Sequence, residues 1–374
     1  MGNHTTTAVP APGVFLKDEL EERGWSQRDL AYVLGCPEQA VNMIISGKRG
    51  ISPEMAKALG KAFDVPAEFF VNLQTAHDLS KASDPDPGVE CRAMLQRHFP
   101  IREMIKRGWL EDTDSEMLSV QVARFFKVEK LDQVPHLRYA AKKTHYDETP
   151  PVQLAWLFRV RQVAESITVP AYSERKLREA VEQLRRLIAA PEETRQVARL
   201  LGECGVRFVI VESLPSAKID GVCLWLDKQS PVIGMSMSRD RIDNFWFVLR
   251  HEIEHVLQKH GQKTECLDVE LSEDGAANAN EPDDERIANT AAADFCVPTA
   301  PMNDFIARVR PFFSEQRVVL FAQRMNVHPG LVVGQIQRRT NNHAFLKRYQ
   351  VKVRQFVVPA ATVDGFGQVA PVNL

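Results

Sequence analysis

The chain has 374 residues, 44% hydrophobic and 26% charged, with a formal net charge of −2. That length exceeds one ordinary domain, and the composition excludes wholesale disorder. The near-neutral balance excludes a generally basic nucleic-acid coat, so any contact with DNA must come from a local patch.

No window supplies the roughly 18 uninterrupted apolar residues that a membrane span needs. Residues 1–12 read as a short flexible arm with two prolines, lacking the basic-then-apolar layout of a secretory signal. Six cysteines, at 36, 91, 204, 223, 266 and 296, form no CxxC pair. They read as reduced, mostly buried thiols of a cytoplasmic protein.

Residues 13–80 read as a series of short amphipathic helices. Ser26 is placed as a helix N-cap and Gly35 just past that helix's end; a second helix follows from Cys36 and stops at Gly47. With Leu30, Val33, Val41 and Ile44 facing inward, the pair makes a helix-turn-helix. Its second helix would enter the major groove, where the amides of Gln39 and Asn42 can pair with base edges. Gln27 and Arg28 open the preceding helix, and Lys48 and Arg49 follow the second, placed for phosphates. Charge argues the other way: seven Lys/Arg stand against ten Asp/Glu in residues 1–80, which predicts weak non-specific affinity. A plain helical bundle that docks a protein instead of DNA is the alternative reading of these residues.

Residues 81–88, Lys-Ala-Ser-Asp-Pro-Asp-Pro-Gly, break any helix and read as a linker. Residues 89–200 return to helical spacing, through Met104, Ile105, Trp109, Leu118, Val122 and Phe125 and then Leu177, Val181, Leu184 and Leu187. The pattern changes at Gly205. Runs rich in β-branched residues at 206–211, 222–226 and 232–237, separated by turn signals, predict a small sheet. An apolar helix follows from about Asp240 to Lys259, then an acidic stretch, a helix over Glu285–Pro298, further helices to Arg339 and a Pro/Gly-containing tail.

The strongest chemical signal is His251-Glu252-Ile253-Glu254-His255. Residues four apart share a helix face, so both imidazoles can point at one ion. Glu252 is offset beside that face, where it can take a proton from water without ligating. The apolar run Phe245–Leu249 implies that the helix is buried, and buried histidines need partners; backbone carbonyls are the alternative to a metal. Catalytic zinc commonly takes three protein ligands. Glu285 opens a helix of small residues that can pack closely enough to supply the third, while spacing leaves Glu281, Asp283 and Asp284 open. Cys266 and Cys296 are weaker candidates, and His328 and His343 receive no role.

Residues 13–80 resemble the Cro/C1-type (XRE) helix-turn-helix domain, in particular that of HigA-type antitoxins. The match lies in Leu16–Ala31, Ile45-Ser-Gly-Lys-Arg49, Ile51–Ala56 and Phe69-Phe-Val-Asn-Leu-Gln74. This resemblance implies a five-helix domain that binds a double-stranded operator as a homodimer. Residues 206–298 resemble the ImmA/IrrE metallopeptidases through Ile219-Asp-Gly221, Pro231-Val-Ile233, Asp243-Asn-Phe-Trp-Phe247, His251–His255 and Glu285 through Pro298. That resemblance implies Zn2+ held by His251, His255 and Glu285, with Glu252 as general base acting on a partner protein, a repressor or antitoxin. Two departures stand out: Glu254 replaces a usual glycine, and Lys259 replaces a common histidine, with His260 one residue further on.

The fold expected is therefore α+β and mostly helical. Its parts are a helix-turn-helix domain (13–80), a helical middle region (89–200), a zincin-like domain with a small sheet (201–300) and a C-terminal helical extension and tail (301–374). The expected function is a cytoplasmic DNA-binding regulator with a zinc endopeptidase and no membrane partner. Its rival is a HigA-like antitoxin or repressor whose peptidase-like part is a non-catalytic sensor or partner-binding module.

Overall fold

The computed structural model describes residues 9–134, 149–262, 266–269, 282–364 and 369–370. The chain divides into two compact units, Met1–Pro87 and Gly88–Leu374.

Five helices make the first unit: α1 (Pro12–Arg23), α2 (Gln27–Leu34), α3 (Glu38–Ile45), α4 (Pro53–Phe63) and α5 (Ala67–Lys81). Local chemistry sets their ends. The Ser26 hydroxyl accepts from Asp29 N at 3.2 Å while the Asp29 carboxylate accepts from Ser26 N at 2.7 Å, a capping box that closes the start of α2. The Ser26 hydroxyl, which donates to the Asp29 carboxylate at 2.7 Å, and the Ser26 N–H together hold that carboxyl below its usual range. Gly35, in the left-handed region at φ 64°, ends the helix. Leu30, Val41 and Ile44 join Leu16, Leu20, Leu59, Phe63 and Phe70 in the core. Val33 does not: it is 47% exposed, and Ala31 is buried instead. Over only eight residues the inward stripe of α2 runs through Leu30 and Ala31, with Leu34 partly buried, and passes Val33 by.

The second unit is built on a six-stranded mixed sheet. Helices α6 (Gly88–His98), α7 (Ile101–Lys106), α8 (Ser115–Phe125) and α9 (Pro151–Glu165) precede α10 (Glu174–Leu187) and α11 (Val197–Glu203). Strands β1 (Arg207–Val211), β2 (Ile219–Trp225) and β3 (Pro231–Met235) follow, then α12 (Ile242–Leu257), β4 (Cys266–Val269) and α13 (Asp283–Cys296). The chain closes with α14 (Thr299–Val309), α15 (Glu315–Met325), α16 (Pro329–Thr340), β5 (Thr362–Asp364) and β6 (Val369–Ala370). Sheet order is β4-β2-β3-β1-β5-β6. Strand β1 runs parallel to β3 and β5, and β2 lies antiparallel to β3 and β4.

Both faces of the sheet are covered, which is why its strands read as continuous apolar runs. Val209 and Val211 face a cluster containing Leu154, Trp156 and Val160 of α9. Phe208 and Ile210 face the opposite cluster, with Phe245, Trp246 and Ile253 of α12. The segments expected as a separate middle region, catalytic domain and extension therefore share one unit. The segment read only as a Pro/Gly-containing tail adds β5 to the sheet. Asp364 accepts from Trp109 Nε1 at 3.0 Å and pairs with Arg159, tying that strand to the helices before the sheet. Among the described residues no helix is long and apolar enough to cross a membrane.

Candidate metal centre and nucleic-acid interface

Helix α12 carries the metal candidates through the middle of the second unit. All of its residues except Arg250 are buried, including His251, Glu252 and His255, each with no solvent exposure. Helix α13 packs on α12 with Ala288 and Ala292 fully buried, small side chains that permit close approach. That approach brings Glu285, from the first turn of α13, onto the two imidazoles. His251 Nε2 and His255 Nε2 stand 3.0 Å apart. One Glu285 oxygen lies 3.3 Å from His251 Nε2, the other 3.5 Å from His255 Nε2.

The donor set fits zinc. Four ligands at about 2.0–2.1 Å around a tetrahedral centre are separated by about 3.3 Å, and the three observed separations bracket that value. Two imidazoles and one carboxylate would leave one corner of a tetrahedral site open. Of the acidic alternatives, Asp283 pairs with Arg286 and Asp284 faces His260, both exposed and outside the cluster of three. Glu281 and Cys266's side chain lie outside the described residues, as does the acidic stretch preceding Pro282. Cys296 is buried and its thiol is pushed up to about 12 by desolvation, so it is a packing residue.

Glu252 points at the sheet. A Cβ on Gly221 would collide with its carboxylate, so the glycine of β2 makes room for the acid of α12. Glu254, the bulkier departure, is neutralised locally: it accepts from Arg250 at 2.7 Å and from Gln258 at 2.7 Å. Burial works to raise its carboxyl, and these two hydrogen bonds more than offset that and hold it below the usual range. His260, left without a role by the sequence, stands beside the site with its Nδ1 2.9 Å from His255 Nδ1. His328 instead caps α16, its Nδ1 accepting from Gly330 N at 3.0 Å, and His343 is exposed.

In the first unit, Gln39, Asn42, Lys48 and Arg49 are exposed on and just after α3, and Arg28 is exposed on α2. Asn42 donates to Gln27 Oε1 at 3.2 Å, so the two amides form one polar patch across the turn. Arg28 pairs with Glu38 at 3.3 Å, a solvent-exposed contact that a phosphate can compete for. Lys48 and Arg49 make no ion pair among the described residues, leaving their charge available.

A helix-turn-helix family matches residues 16–70, the span from α1 into α5. Virulence-associated protein A of Dichelobacter nodosus is 38% identical over 76 residues, which cover 20% of this chain and 74% of that protein. The chain belongs to this helix-turn-helix family. Virulence-associated protein A' of the same organism is 40% identical over 76 residues, and this chain spans 66% of its length. A solved structure described as Pseudomonas aeruginosa antitoxin HigA with higBA promoter is 34% identical, covering 24% of this chain and 88% of that one, with a TM-score of 0.19. The family membership thus rests on the N-terminal unit.

Proposed function

We propose that the protein is a transcriptional regulator whose helix-turn-helix unit binds an operator as a homodimer and whose second unit is a zinc-dependent endopeptidase of the ImmA/IrrE type. The substrate is a partner protein, a repressor or antitoxin. The observation that carries the hydrolase half is the convergence of His251, His255 and Glu285, with ligating atoms all within 4.8 Å of one another. Zinc held there supplies Lewis acidity toward a peptide carbonyl and makes a nearby water easier to deprotonate. Glu252 takes the proton of the attacking water and passes it to the leaving amine nitrogen. Its burial beside Gly221 keeps bulk water from competing for that proton. On the DNA side, Gln39 and Asn42 read base edges while Arg28, Lys48 and Arg49 hold phosphates; Gln27 orients Asn42.

The test is zinc content of the purified full chain followed by cleavage of co-expressed partners. One zinc per chain is expected, retained in Glu252→Gln while cleavage falls by about 10²–10⁴-fold. A second reading is supported by the same cluster: the two imidazoles and Glu285 also satisfy one another as a hydrogen-bonded group, which would suit an antitoxin whose second unit only senses or holds a partner. A chain without stoichiometric zinc selects that reading.

A further inference from the structure

Helix α12 ends at Leu257 with Lys259, not a glycine, at the left-handed position that follows, and the way it ends aims a side chain back at the metal site. Lys259 adopts φ 59°, in the left-handed region. Lys259 N then donates to Val256 O at 3.0 Å and His260 N donates to His255 O at 2.8 Å, the paired reversal of a Schellman turn. Gly261 follows at φ 80°, where a Cβ would stand 2.7 Å from the Cys223 carbonyl oxygen. The His260 carbonyl is gripped from the sheet by Trp225 Nε1 at 2.8 Å. This backbone brings the His260 ring against His255, with the two Nδ1 atoms 2.9 Å apart. The far nitrogen, Nε2, lies 3.3 Å from Asp284 Oδ1.

Proton bookkeeping along that line has one solution when His255 serves as a ligand. His255 must present a bare Nε2, so its proton sits on Nδ1. His260 Nδ1 must then accept, which puts the His260 proton on Nε2, where the Asp284 carboxylate accepts it. The line Asp284–His260–His255 selects the ligating tautomer and holds the ring in place, as the carboxylate behind a zinc histidine does in simpler sites. Asp284 and the ligand Glu285 are neighbours on α13, so one helix turn delivers both a ligand and the anchor of the opposite ligand.

We infer that His260, braced by Asp284, is a positioning residue for the metal: it fixes the tautomer and orientation of His255 and thereby raises zinc affinity. This rests on the zinc reading above. It also accounts for the sequence departure, because the Schellman reversal lets a histidine five residues beyond the second ligand reach back to it.

The experiment is a zinc competition titration of the full chain against a chromophoric chelator, with thermal melts by circular dichroism on every variant. His260→Ala is expected to weaken zinc about 10–100-fold. His260→Asn, whose Oδ1 replaces the Nδ1 acceptor, recovers most of that loss, which a merely structural role would not do. Asp284→Ala, at an exposed side chain outside the core, weakens zinc several-fold and serves as the test if His260→Ala melts early. Unchanged affinity in both alanine variants of a zinc-binding parent overturns the inference alone. A parent chain that takes up no zinc sinks the hydrolase reading, and this inference falls with it.

Discussion

Helix α3 leaves Gln39 and Asn42 in solvent, whereas α12 buries two histidines and two glutamates inside an aromatic shell. Exposed amides lose nothing by waiting for a partner, since water satisfies them until DNA arrives. Buried imidazoles and carboxylates have no such reserve, so their partners must come from the fold itself. Polar side chains are therefore left open to an outside partner on one helix and form an obligate cluster on the other. Changes on α3 should cost binding but not stability; changes around α12 should cost both.

On the DNA side of this comparison the largest effect is expected from Asn42→Ala combined with Arg49→Ala. Losing a base-edge contact costs about 1–3 kcal/mol, and losing a phosphate contact lowers affinity further while flattening its salt dependence. Gel-shift titration on DNA from the protein's own promoter at two salt concentrations measures this. An unchanged midpoint removes α3 from the groove and with it the contrast drawn above. A drop in melting temperature would show instead that the α3 surface is structural.

Gly221→Ala strikes the other side of the comparison. Its Cβ has no room beside the Glu252 carboxylate, so overpacking of about 1–3 kcal/mol is expected in a urea melt. A neutral substitution would mean that Glu252 is free to swing, contrary to a base held against β2. Smaller still is Ser26→Ala, which removes the α2 cap and costs about 1 kcal/mol in the first unit. It should lower operator affinity only through lost folding, so excess protein restores full binding.

The smallest effect is a pH slope from His328. Burial pushes its imidazole below the usual value, the Glu192 carboxylate opposing in part, and its Nδ1 must stay bare to cap α16. A histidine depressed in the folded state is neutral in both states at high pH. As pH falls below about 6.5 the unfolded chain takes the proton first, and stability drops until the lower folded value is passed. Denaturant melts between pH 7.5 and 5, as proposed conditions, should lose part of that slope in His328→Asn. An identical slope would assign the dependence to other groups.

Local signals carried much of this molecule. Ser26 and Gly35 bound α2 through local bonds and read correctly from the chain, whereas Asp29's half of the capping box appears only in the structure. The two histidines four apart on a helix, and a following helix rich in alanine, were legible for the same reason. Val33 was misplaced because an eight-residue helix presents too few turns for spacing to define a face. Strand β5 was missed because three residues, Thr362–Asp364, have no signature of their own and pair with β1 about 150 residues earlier. The role of His260 was hidden by a chain reversal that depends on Lys259 adopting a left-handed conformation that its side chain gives no reason to expect.

Sequence by itself determined which side chains can do chemistry here and which helices carry them, because helical periodicity and capping act over one or two turns. Only the tertiary structure decided that Glu285, rather than its acidic neighbours, meets both imidazoles, that Gly221 clears space for Glu252, and that β5 completes the sheet. Those outcomes depend on contacts between segments distant in the chain, where packing of whole faces outweighs any local preference.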